Sequence, residues 1–585
     1  MSLHQKGQLP EAASNYQEVL ARDPRNFDAL RLLGGLYVQW DKADKAVPCL
    51  QEALTIAPNN TELLHNLGVA LGNQGQDNAA IAQYRRVVAI APNHIQAIDS
   101  LGNLLFASGQ LDEATVWLKR STQLNQKNGR AHACLGDIFR AHGETLPAIT
   151  HYRQAHVLLP DNTAIMHQLG NLLRQVGMSD EACAVYQRLA AHKPDDAAVQ
   201  RNLGVILRDM GQLEESLRRH DIALQLAPDA PDSRINRASL LLELDRPEEA
   251  RAAYDDCVRR HPDRTEARWG KALALLTLGA YPEGWALYES RLEHMLKRNL
   301  PAPRWNGSAL DGKKLLIWGE QGLGDVLQFI RYAKICKDKG GHITVQCARP
   351  LARLLAQCPF IDAVVHTTEE THYDYHIPVM SLPHICGTTL ETIPHDTPYL
   401  FVDDESRAKW APLFSDPSTF KIGLVWAGNP RTTDIDAHVT DRQRSMPLAT
   451  MRPLFSHDSC RFYSLQKENS AAAIAAAGLD GKLVDPMPQV EDLMDTAAII
   501  THLDLVISVD TSVVHLTGGL GKPVWVLSRF GGCWRWLRNR ASNPWYPTAR
   551  IFGQPAPGDW SGCVADVSTN LATDLQKQSP VRLKT

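Results

Sequence analysis

Residues 60–93 have the sequence NTELLHNLGVALGNQGQDNAAIAQYRRVVAIAPN, one copy of a unit that recurs every 34 residues. A proline lies near the end of each unit, at Pro24, Pro58, Pro92, Pro160, Pro194, Pro228 and Pro262, and Gln126 fills the remaining slot. A small residue has the same spacing, at Gly34, Gly68, Gly102, Gly136, Gly170, Gly204, Ala238 and Ala272. A fixed period over half of the chain indicates an array of structural repeats.

Two further slots of the unit share this period. One holds small residues: Ala46, Ala80, Ala114, Ala148, Ala182, Ser216, Ala250 and Gly284. The other holds bulky residues: Leu50, Tyr84, Leu118, Tyr152, Tyr186, Tyr254 and Tyr288. Small residues let neighbouring helices approach closely, the bulky residue fills the gap between them, and the proline stops the second helix. The unit therefore predicts a helical hairpin, with about eight hairpins over residues 1–298 and the first one incomplete.

The four slots resemble those of the tetratricopeptide-repeat (TPR) family, whose arrays form superhelices with a groove that binds peptides or proteins. Two slots on the first helices carry amides or acids, namely Asn66, Asn202 and Asn236 in one and Asn103, Asp137 and Asn171 in the other. Stacked amides can hold a peptide backbone by paired hydrogen bonds. The pattern resembles, in broken form, the asparagine ladder of the protein O-GlcNAc transferases. The alternative is that these are ordinary polar residues on helix surfaces.

The sequence pattern changes after residue 298. Residues 299–312 are rich in proline and predict a linker. Residues 313–340, KKLLIWGEQGLGDVLQFIRYAKICKDKG, predict a strand, a glycine-rich turn and a helix, and strands alternate with helices through residue 405. The alternation restarts at KIGLVWAGN, residues 421–429, within a second segment that spans 406–585. The predicted fold is an all-α solenoid followed by an α/β domain with two Rossmann-like halves that face a cleft.

Two motifs in the α/β region resemble the heptosyltransferase-like family, glycosyltransferase family 9. GLGDVLQFIRY, residues 322–332, is similar to its N-terminal loop, and ISVDTSVVHLTGGLGKPVWVL, residues 507–527, is similar to its nucleotide-binding signature. Over residues 313–565 the chain resembles bacterial TPR proteins that carry this domain. The resemblance implies a GT-B fold and transfer of a sugar from a nucleotide-diphosphate-sugar to an acceptor hydroxyl. The repeats would recruit the protein or peptide acceptor, and the nucleotide sugar would be a co-substrate, with no separate cofactor.

The first motif contains the candidate catalytic residue, Asp325. Gly322 and Gly324 follow a predicted strand and would let a ligand approach the backbone. In the resembling family the matching aspartate is the base that takes the proton of the acceptor hydroxyl. The alternative is that Asp325 only caps the helix that follows.

The second motif supplies candidate residues for donor binding. Asp510 ends a strand, and Thr511, Ser512 and His515 begin the next helix, which is a usual position for a ligand and suits a diphosphate. The alternative is a capping Thr511 and a core His515. Arg444 matches the family's phosphate-binding lysine, with a solvated arginine as its alternative. Four residues that end other predicted strands could also line the cleft, the last two by contacting the ribose or base: Trp426, Asn429, Gln466 and Lys467.

Some features of the α/β region depart from the family pattern or suggest other ligands. Ser512 stands where the family has glycine, which leaves the donor and the activity open. The D-I-D sequence at residues 434–436 mimics a metal-binding motif but lies in a polar loop, so no metal is expected. Between Phe530 and Trp560, tryptophans alternate with arginines. We expect this segment to pack against the N-terminal half, with one Trp or Arg reaching the donor or acceptor.

Composition narrows the partners of the chain. A net charge of -4 argues against nucleic acid as a partner. The sequence has no apolar run long enough to span a membrane. The eleven cysteines form no C-x-x-C pair, which favours a reducing compartment and predicts the cytoplasm. A second function remains open: a TPR interaction scaffold whose glycosyltransferase-like half is inactive or only senses a nucleotide.

Overall fold

The computed structural model describes residues 7–294, 298, 300–367, 372–430, 435–468, 470–538, 540 and 542–582. The chain divides into two compact units, residues 1–194 and 195–585. In the described part of the chain, no helix is both long and apolar enough to cross a membrane.

The first unit consists of helices joined by short turns, as the repeat predicts. From α2 onward the helices pack in successive pairs, α2 with α3, α4 with α5 and so on, and each pair forms one hairpin. The helices are α1 Leu9–Arg22, α2 Phe27–Gln39, α3 Ala43–Ile56, α4 Thr61–Asn73, α5 Asp77–Ile90, α6 Ile95–Ala107, α7 Leu111–Leu124, α8 Gly129–Ala141, α9 Thr145–Leu158, α10 Thr163–Gln175 and α11 Ser179–His192.

The small and bulky slots meet inside each hairpin. A methyl group on Gly68 would lie 2.6 Å from the ring of Tyr84, and one on Gly170 would lie 2.5 Å from the ring of Tyr186. Both distances are below any real carbon–carbon contact, so a larger residue at the small slot would displace the tyrosine. The small residue thus allows the two helices to approach closely, and the bulky residue fills the gap between them, as the sequence predicts.

A fifth slot of the repeat forms the turn inside each hairpin. Gly75 and Gly109 have φ angles of +73° and +76°, and glycine adopts this left-handed backbone without the steric cost that a side chain adds. Asp245 occupies the same slot with a φ of +63°. Asparagine side chains begin the first helices: Asn60 accepts hydrogen bonds from the backbone N–H groups of Glu62 and Leu63 at 3.1 and 3.2 Å.

The second unit begins with the remaining helices of the array. They are α12 Ala197–Asp209, α13 Leu213–Leu226, α14 Pro231–Glu243, α15 Pro247–Arg260, α16 Thr265–Thr277, α17 Tyr281–Tyr288 and α18 Arg291–His294. The predicted all-helical first half and α/β second half are confirmed.

The α/β region contains two parallel sheets. The first has the order β3-β2-β1-β4, from β1 Lys314–Trp318, β2 His342–Gln346, β3 Ala363–Val365 and β4 Tyr375–Pro378. The second has the order β10-β9-β8-β5-β6-β7, from β5 Phe420–Val425, β6 Cys460–Ser464, β7 Leu483–Val484, β8 Leu505–Val509, β9 Val524–Ser528 and β10 Ala549–Gly553. The second sheet is doubly wound, and its strand order reverses between the neighbours β5 and β8.

Helices connect these strands. Those of the first half are α19 Leu323–Phe329, α20 Tyr332–Asp338, α21 Arg349–Leu355, α22 Leu382–Ile385 and α23 Asp404–Trp410. Those of the second are α24 Ile435–Arg444, α25 Ser470–Ala476, α26 Leu493–Thr501, α27 Ser512–Gly519 and α28 Trp560–Arg582. Short 3-10 helices span Val379–Ser381, Ala411–Phe414, Leu448–Ser456, Met487–Gln489 and Trp534–Trp536.

The last repeat hairpin shares a hydrophobic core with the α/β region. The ring of Trp285 on α17 lies 5.3 Å from that of Trp534 and 5.9 Å from that of Phe329. Trp545 Nε1 donates to the Tyr281 hydroxyl at 3.0 Å. The tryptophan-rich segment therefore packs against the last repeat hairpin of the N-terminal half, in agreement with the expected packing.

The predicted linker is part of the same core. Trp305 is only 1% exposed, and its backbone N–H donates to the carbonyl of His376 at 2.9 Å. The predicted boundary at residue 298 therefore marks a change of secondary structure and not the edge of a compact unit.

His220 occupies the bulky slot of the hairpin formed by α12 and α13. It is fully buried, and neither ring nitrogen has a hydrogen-bond partner among the described residues. Burial, together with the charges of Arg208 and Arg201, lowers the pKa of His220 to about 4. The folded protein therefore holds this imidazole neutral.

A His220→Tyr variant is expected to tolerate acid better than the wild type. Because the pKa of His220 is lower in the folded state than its unfolded value of about 6.5, the unfolded state binds more protons between pH 4 and 6.5. The free energy of unfolding is therefore not reduced by His220 above that range, and it decreases as the pH falls through the range. Replacement by tyrosine, which fills this slot in other repeats, should remove roughly 2 kcal/mol of destabilisation between pH 7.5 and 4.5.

Urea denaturation midpoints at the two pH values measure this effect. The variant should show a smaller drop than the wild type, although His151, with a pKa lowered by burial to about 4, keeps part of it. An equal drop in both proteins would contradict the account of His220.

Candidate functional site

The loop after β1 places the carboxylate of Asp325 at the end of the first sheet. Asp325 Oδ2 accepts a hydrogen bond from the backbone N–H of Gly322 at 2.9 Å, which caps α19. Its other oxygen forms an ion pair with Arg535, and the Asp325 side chain is 15% exposed. The capping interaction that was the alternative is thus present. The same carboxylate also lies at the carboxyl end of β1, where a ligand of a parallel sheet binds.

Arg535 is the arginine of the tryptophan-rich segment that reaches this loop. Its Nε donates to Gln328 Oε1 at 2.8 Å. Burial opposes the charge of Arg535, but the neighbouring Asp325 carboxylate outweighs it, so the pKa of Arg535 lies above its ordinary value. The sequence predicted that one Trp or Arg of this segment would reach the donor or acceptor, and contact of Arg535 with either one stays a prediction.

The two motifs meet directly. A methyl group on Gly324 would lie 2.9 Å from His515 Cδ2 and 3.4 Å from Ser512 Cα, so only glycine lets α19 approach α27 this closely. His515 Nδ1 lies 2.9 Å from the Tyr546 hydroxyl, and its ring stacks on Trp536 at 5.4 Å. Burial, with smaller effects from Arg535 and Arg331, holds the pKa of His515 well below its ordinary value. His515 is therefore a neutral, buried residue that supports the start of α27.

Thr511 precedes α27, but its side chain does not cap the helix. Its hydroxyl lies 3.2 Å from that of Ser508. Asp510, Thr511 and Ser512 are each half-buried. The structure therefore places these three residues at the carboxyl end of β8, without the cap that was the alternative for Thr511.

Arg444 lies at the point where the strand order of the second sheet reverses. Its Nε and Nη2 donate to Asp441 Oδ1 at 2.9 and 2.8 Å, and its Nη1 donates to the carbonyl of Asp510 at 3.3 Å. A methyl group on Gly428 would lie 2.6 Å from Arg444 Nη2. Arg444 therefore joins the segment after β5 to the end of β8, and it is not a solvated surface arginine.

The other predicted donor residues have different surroundings. Gln466 Oε1 accepts hydrogen bonds from the backbone N–H groups of Ala427 and Trp426 at 3.0 and 3.3 Å. Trp426 is buried, and Lys467 Nζ donates to the carbonyl of Val490. Asn429 is exposed. The described side-chain contacts of Gln466 and Lys467 are with the backbone of neighbouring segments. Contact of these two residues with a ribose or base stays a prediction.

Residue 434 of the predicted D-I-D sequence lies outside the described residues. Among the residues that are described, no group of three or more His, Cys, Asp or Glu side chains could hold a metal ion.

The proposed peptide-binding residues of the first unit contact their own hairpins. Tyr152 and Tyr186 donate their hydroxyls to Asp137 Oδ1 and Asn171 Oδ1 at 2.6 and 2.5 Å. Asn103, whose hairpin has leucine in the bulky slot, donates to the carbonyl of Asp99 at 2.7 Å. The slot of Asn103, Asp137 and Asn171 therefore forms hydrogen bonds within single hairpins.

The other amide slot lies on half-buried positions. Asn66 is half-buried in the first unit, and Asn202 and Asn236 are half-buried in the second. Asn202 Oδ1 lies 3.4 Å from Arg201 Nε. Recognition of a peptide by either slot stays a prediction.

A buried ion pair that the sequence did not suggest fixes the loop after β1. Arg291 Nη2 and Nε donate to the two oxygens of Glu320 at 2.7 and 2.8 Å, and both side chains are fully buried. Glu320 also accepts from the backbone N–H of Met380 at 3.0 Å. The sequence shows that Glu320 lies in an apolar loop, but it does not indicate that Arg291, on another element, is its partner.

Comparisons with known proteins support the repeats. Tetratricopeptide-repeat family models match residues 3–68, 61–94, 167–231 and 235–292. These residues are tetratricopeptide repeats. Protein FlbA of Caulobacter vibrioides is 27% identical over 317 residues, which are 49% of this chain and 52% of FlbA. The chain thus spans about half the length of this curated relative.

Two solved structures are each similar to part of the chain. YrrB, described as a TPR protein with an unusual peptide-binding site, is 21% identical with a TM-score of 0.30, over 32% of this chain and 95% of YrrB. MamA from Desulfovibrio magneticus RS-1 is 17% identical with a TM-score of 0.27, over 29% of this chain and 96% of that structure.

Breaking the buried pair is expected to destabilise the second unit strongly. In an Arg291→Met variant, Glu320 would remain buried without its partner, at a cost of about 3–5 kcal/mol. Adding Glu320→Gln should recover part of this loss because it removes the uncompensated charge. Arg407→Met is the matched control, since Arg407 pairs with an Asp404 side chain that is fully exposed, and its loss should cost about 0–1 kcal/mol.

Urea denaturation of the full chain measures all three variants. Equal small losses for Arg291→Met and Arg407→Met would show that the buried pair does not stabilise the loop.

Proposed function

We propose that the chain is a glycosyltransferase of the GT-B type, related to glycosyltransferase family 9. It would move a sugar from a nucleotide-diphosphate-sugar to an acceptor hydroxyl. One observation carries the proposal: the loop after β1, with Asp325, directly contacts the start of α27, which is tied through Asp510 to Arg444. A carboxylate, a helix N-terminus and a guanidinium therefore lie together at the carboxyl ends of parallel strands, where such sheets bind ligands.

The second half suits the diphosphate of the donor. The N-terminus of α27 offers backbone N–H groups and a partial positive charge, and the hydroxyls of Thr511 and Ser512 lie beside it. Arg444, which donates to the carbonyl of Asp510, adds a positive charge beside this residue. These groups would stabilise the charge that develops on the leaving diphosphate.

The first half supplies the base for the acceptor. As the acceptor oxygen bonds to the sugar carbon, its proton would pass to Asp325, and the bond from that carbon to the diphosphate would break. The electron pair of the broken bond would stay on the diphosphate. A carboxylate at the end of β1, on a glycine-containing loop, is suitably placed to take that proton.

The repeats would select the acceptor. TPR arrays bind proteins and peptides on extended surfaces, and repeats in residues 235–292 lie in the same compact unit as the candidate site. A protein or peptide acceptor held there would be presented to the site without any role for the repeats in the chemistry.

A second function has one observation in its favour. Both oxygens of Asp325 are already engaged, one by the cap and one by Arg535. A carboxylate so held would be a poor base if these contacts persisted during turnover. The chain would then be a TPR scaffold whose α/β region is inactive or only senses a nucleotide.

Substitution of Asp325 separates the two functions. Asp325→Asn keeps an oxygen that can cap α19 but cannot take a proton, so turnover should fall roughly 10²–10⁴-fold. Asp325→Ala should lose the cap and also leave the buried guanidinium of Arg535 without its partner, so its stability should fall by more than the about 1 kcal/mol expected for a cap alone. Asp404→Asn, at a fully exposed aspartate on α23, is the matched control and should leave both unchanged.

The assay incubates the full chain with a panel of nucleotide-diphosphate-sugars and measures release of the nucleoside diphosphate, with melting temperatures recorded in parallel. Release by the wild type at a rate that Asp325→Asn retains would remove Asp325 as the base. No release from any donor would favour the scaffold.

A further inference from the structure

The contact between Asp325 and Arg535 joins two segments that are 210 residues apart in the sequence. Arg535 lies in the short 3-10 helix Trp534–Trp536, and both tryptophans beside it are buried. Trp534 packs on Trp285 and Phe329, and Trp536 stacks on His515. The backbone on either side of Arg535 is therefore fixed, and its guanidinium is held against α19 by Asp325 and Gln328.

The Arg535 guanidinium has a second partner, Gln328, whose amide group has an unused hydrogen-bond donor. Gln328 accepts from Arg535 Nε through its Oε1, and the Gln328 side chain is fully buried. Gln328 Nε2 has no hydrogen-bond partner among the described residues. A buried amide N–H without an acceptor is costly, and an anion at Arg535 would be a suitable acceptor for it.

We propose that Arg535 is an exchangeable cation, paired with Asp325 in the resting site and passed to the donor diphosphate during transfer. This rests on the glycosyltransferase function proposed above. It assigns to the tryptophan-rich segment an anion subsite, formed by the Arg535 guanidinium and the Gln328 amide, that takes a diphosphate group.

The chemistry of transfer drives this exchange. When the acceptor oxygen bonds to the sugar carbon, its proton moves to Asp325, which becomes neutral and loses its attraction for Arg535. In the same step the carbon–oxygen bond to the diphosphate breaks. Its electron pair stays on the diphosphate, which becomes more negative. Arg535 therefore gains a stronger partner as it loses its first one. The ion pair that would make Asp325 a poor base is thus broken as the reaction proceeds.

Competition between the carboxylate and a phosphate has a measurable consequence. Inorganic pyrophosphate, titrated calorimetrically into the full chain, serves as the probe. Asp325→Asn removes the competing charge and is expected to strengthen pyrophosphate binding several-fold. Arg535→Gln should weaken it roughly tenfold to a hundredfold, as for the loss of a charge-assisted hydrogen bond. In the double variant, Asp325→Asn should bring no gain.

Arg538→Gln is the matched control. Arg538 belongs to the same segment but pairs with Asp245, away from Asp325, so its loss should leave pyrophosphate affinity unchanged. Arg535→Lys, which keeps the charge, should retain most of the affinity. If Arg535→Gln does not fold, the gain expected for Asp325→Asn and the behaviour of Arg535→Lys still decide the question.

Three results would overturn the proposal. Equal or weaker pyrophosphate binding by Asp325→Asn, or unchanged binding by Arg535→Gln, would show that the two groups do not compete. If binding then still depends on Arg444, measured with Arg444→Gln, the proposed donor site stands and only the exchange is wrong. Absence of pyrophosphate binding in both the wild type and Asp325→Asn would overturn the exchange and the donor site together.

Discussion

Burial of the Trp285 side chain is the constraint on which the second unit depends. Around it meet the last repeat hairpin, α19 through Phe329 and the tryptophan-rich segment through Trp534. Aromatic side chains of this size bury large apolar areas and fix the angle at which elements meet. Asp325 is on the same helix as Phe329, and Arg535 follows Trp534 directly. The packing of this cluster therefore sets the distance between the two charges at the candidate site.

The repeats of the second unit also support the loops that carry the donor residues. Arg442 on α24 donates to the carbonyl of Asp209 at the end of α12. Gly531 lies so close to the end of α14 that a methyl group there would meet the Glu243 carbonyl at 2.5 Å. Changes in the repeats of this unit would thus be transmitted to the site by direct contact.

Local pattern was sufficient to predict much of this architecture. The period of 34 residues predicted the hairpins because each slot has a steric reason that applies within one unit, as Gly68 and Tyr84 show. Alternating strands and helices likewise predicted two parallel sheets. The pairs that define the site could not be predicted: Asp325 meets Arg535, and Glu320 meets Arg291, only because distant segments fold together. Residue 298 lies inside a compact unit for the same reason: Trp305, just after it, is buried and donates its backbone N–H to the carbonyl of His376, which is far along the chain.

The central claim is that a nucleoside diphosphate binds where the two motifs of the α/β region meet. Hydrogen–deuterium exchange of the full chain, with and without UDP, GDP or ADP, tests it most directly. The account predicts that one of these ligands slows exchange in residues 322–330, 441–446 and 510–519, and leaves the repeats of residues 7–194 unchanged. Unaltered exchange in those three segments with every nucleotide, or protection confined to the repeats, would contradict it.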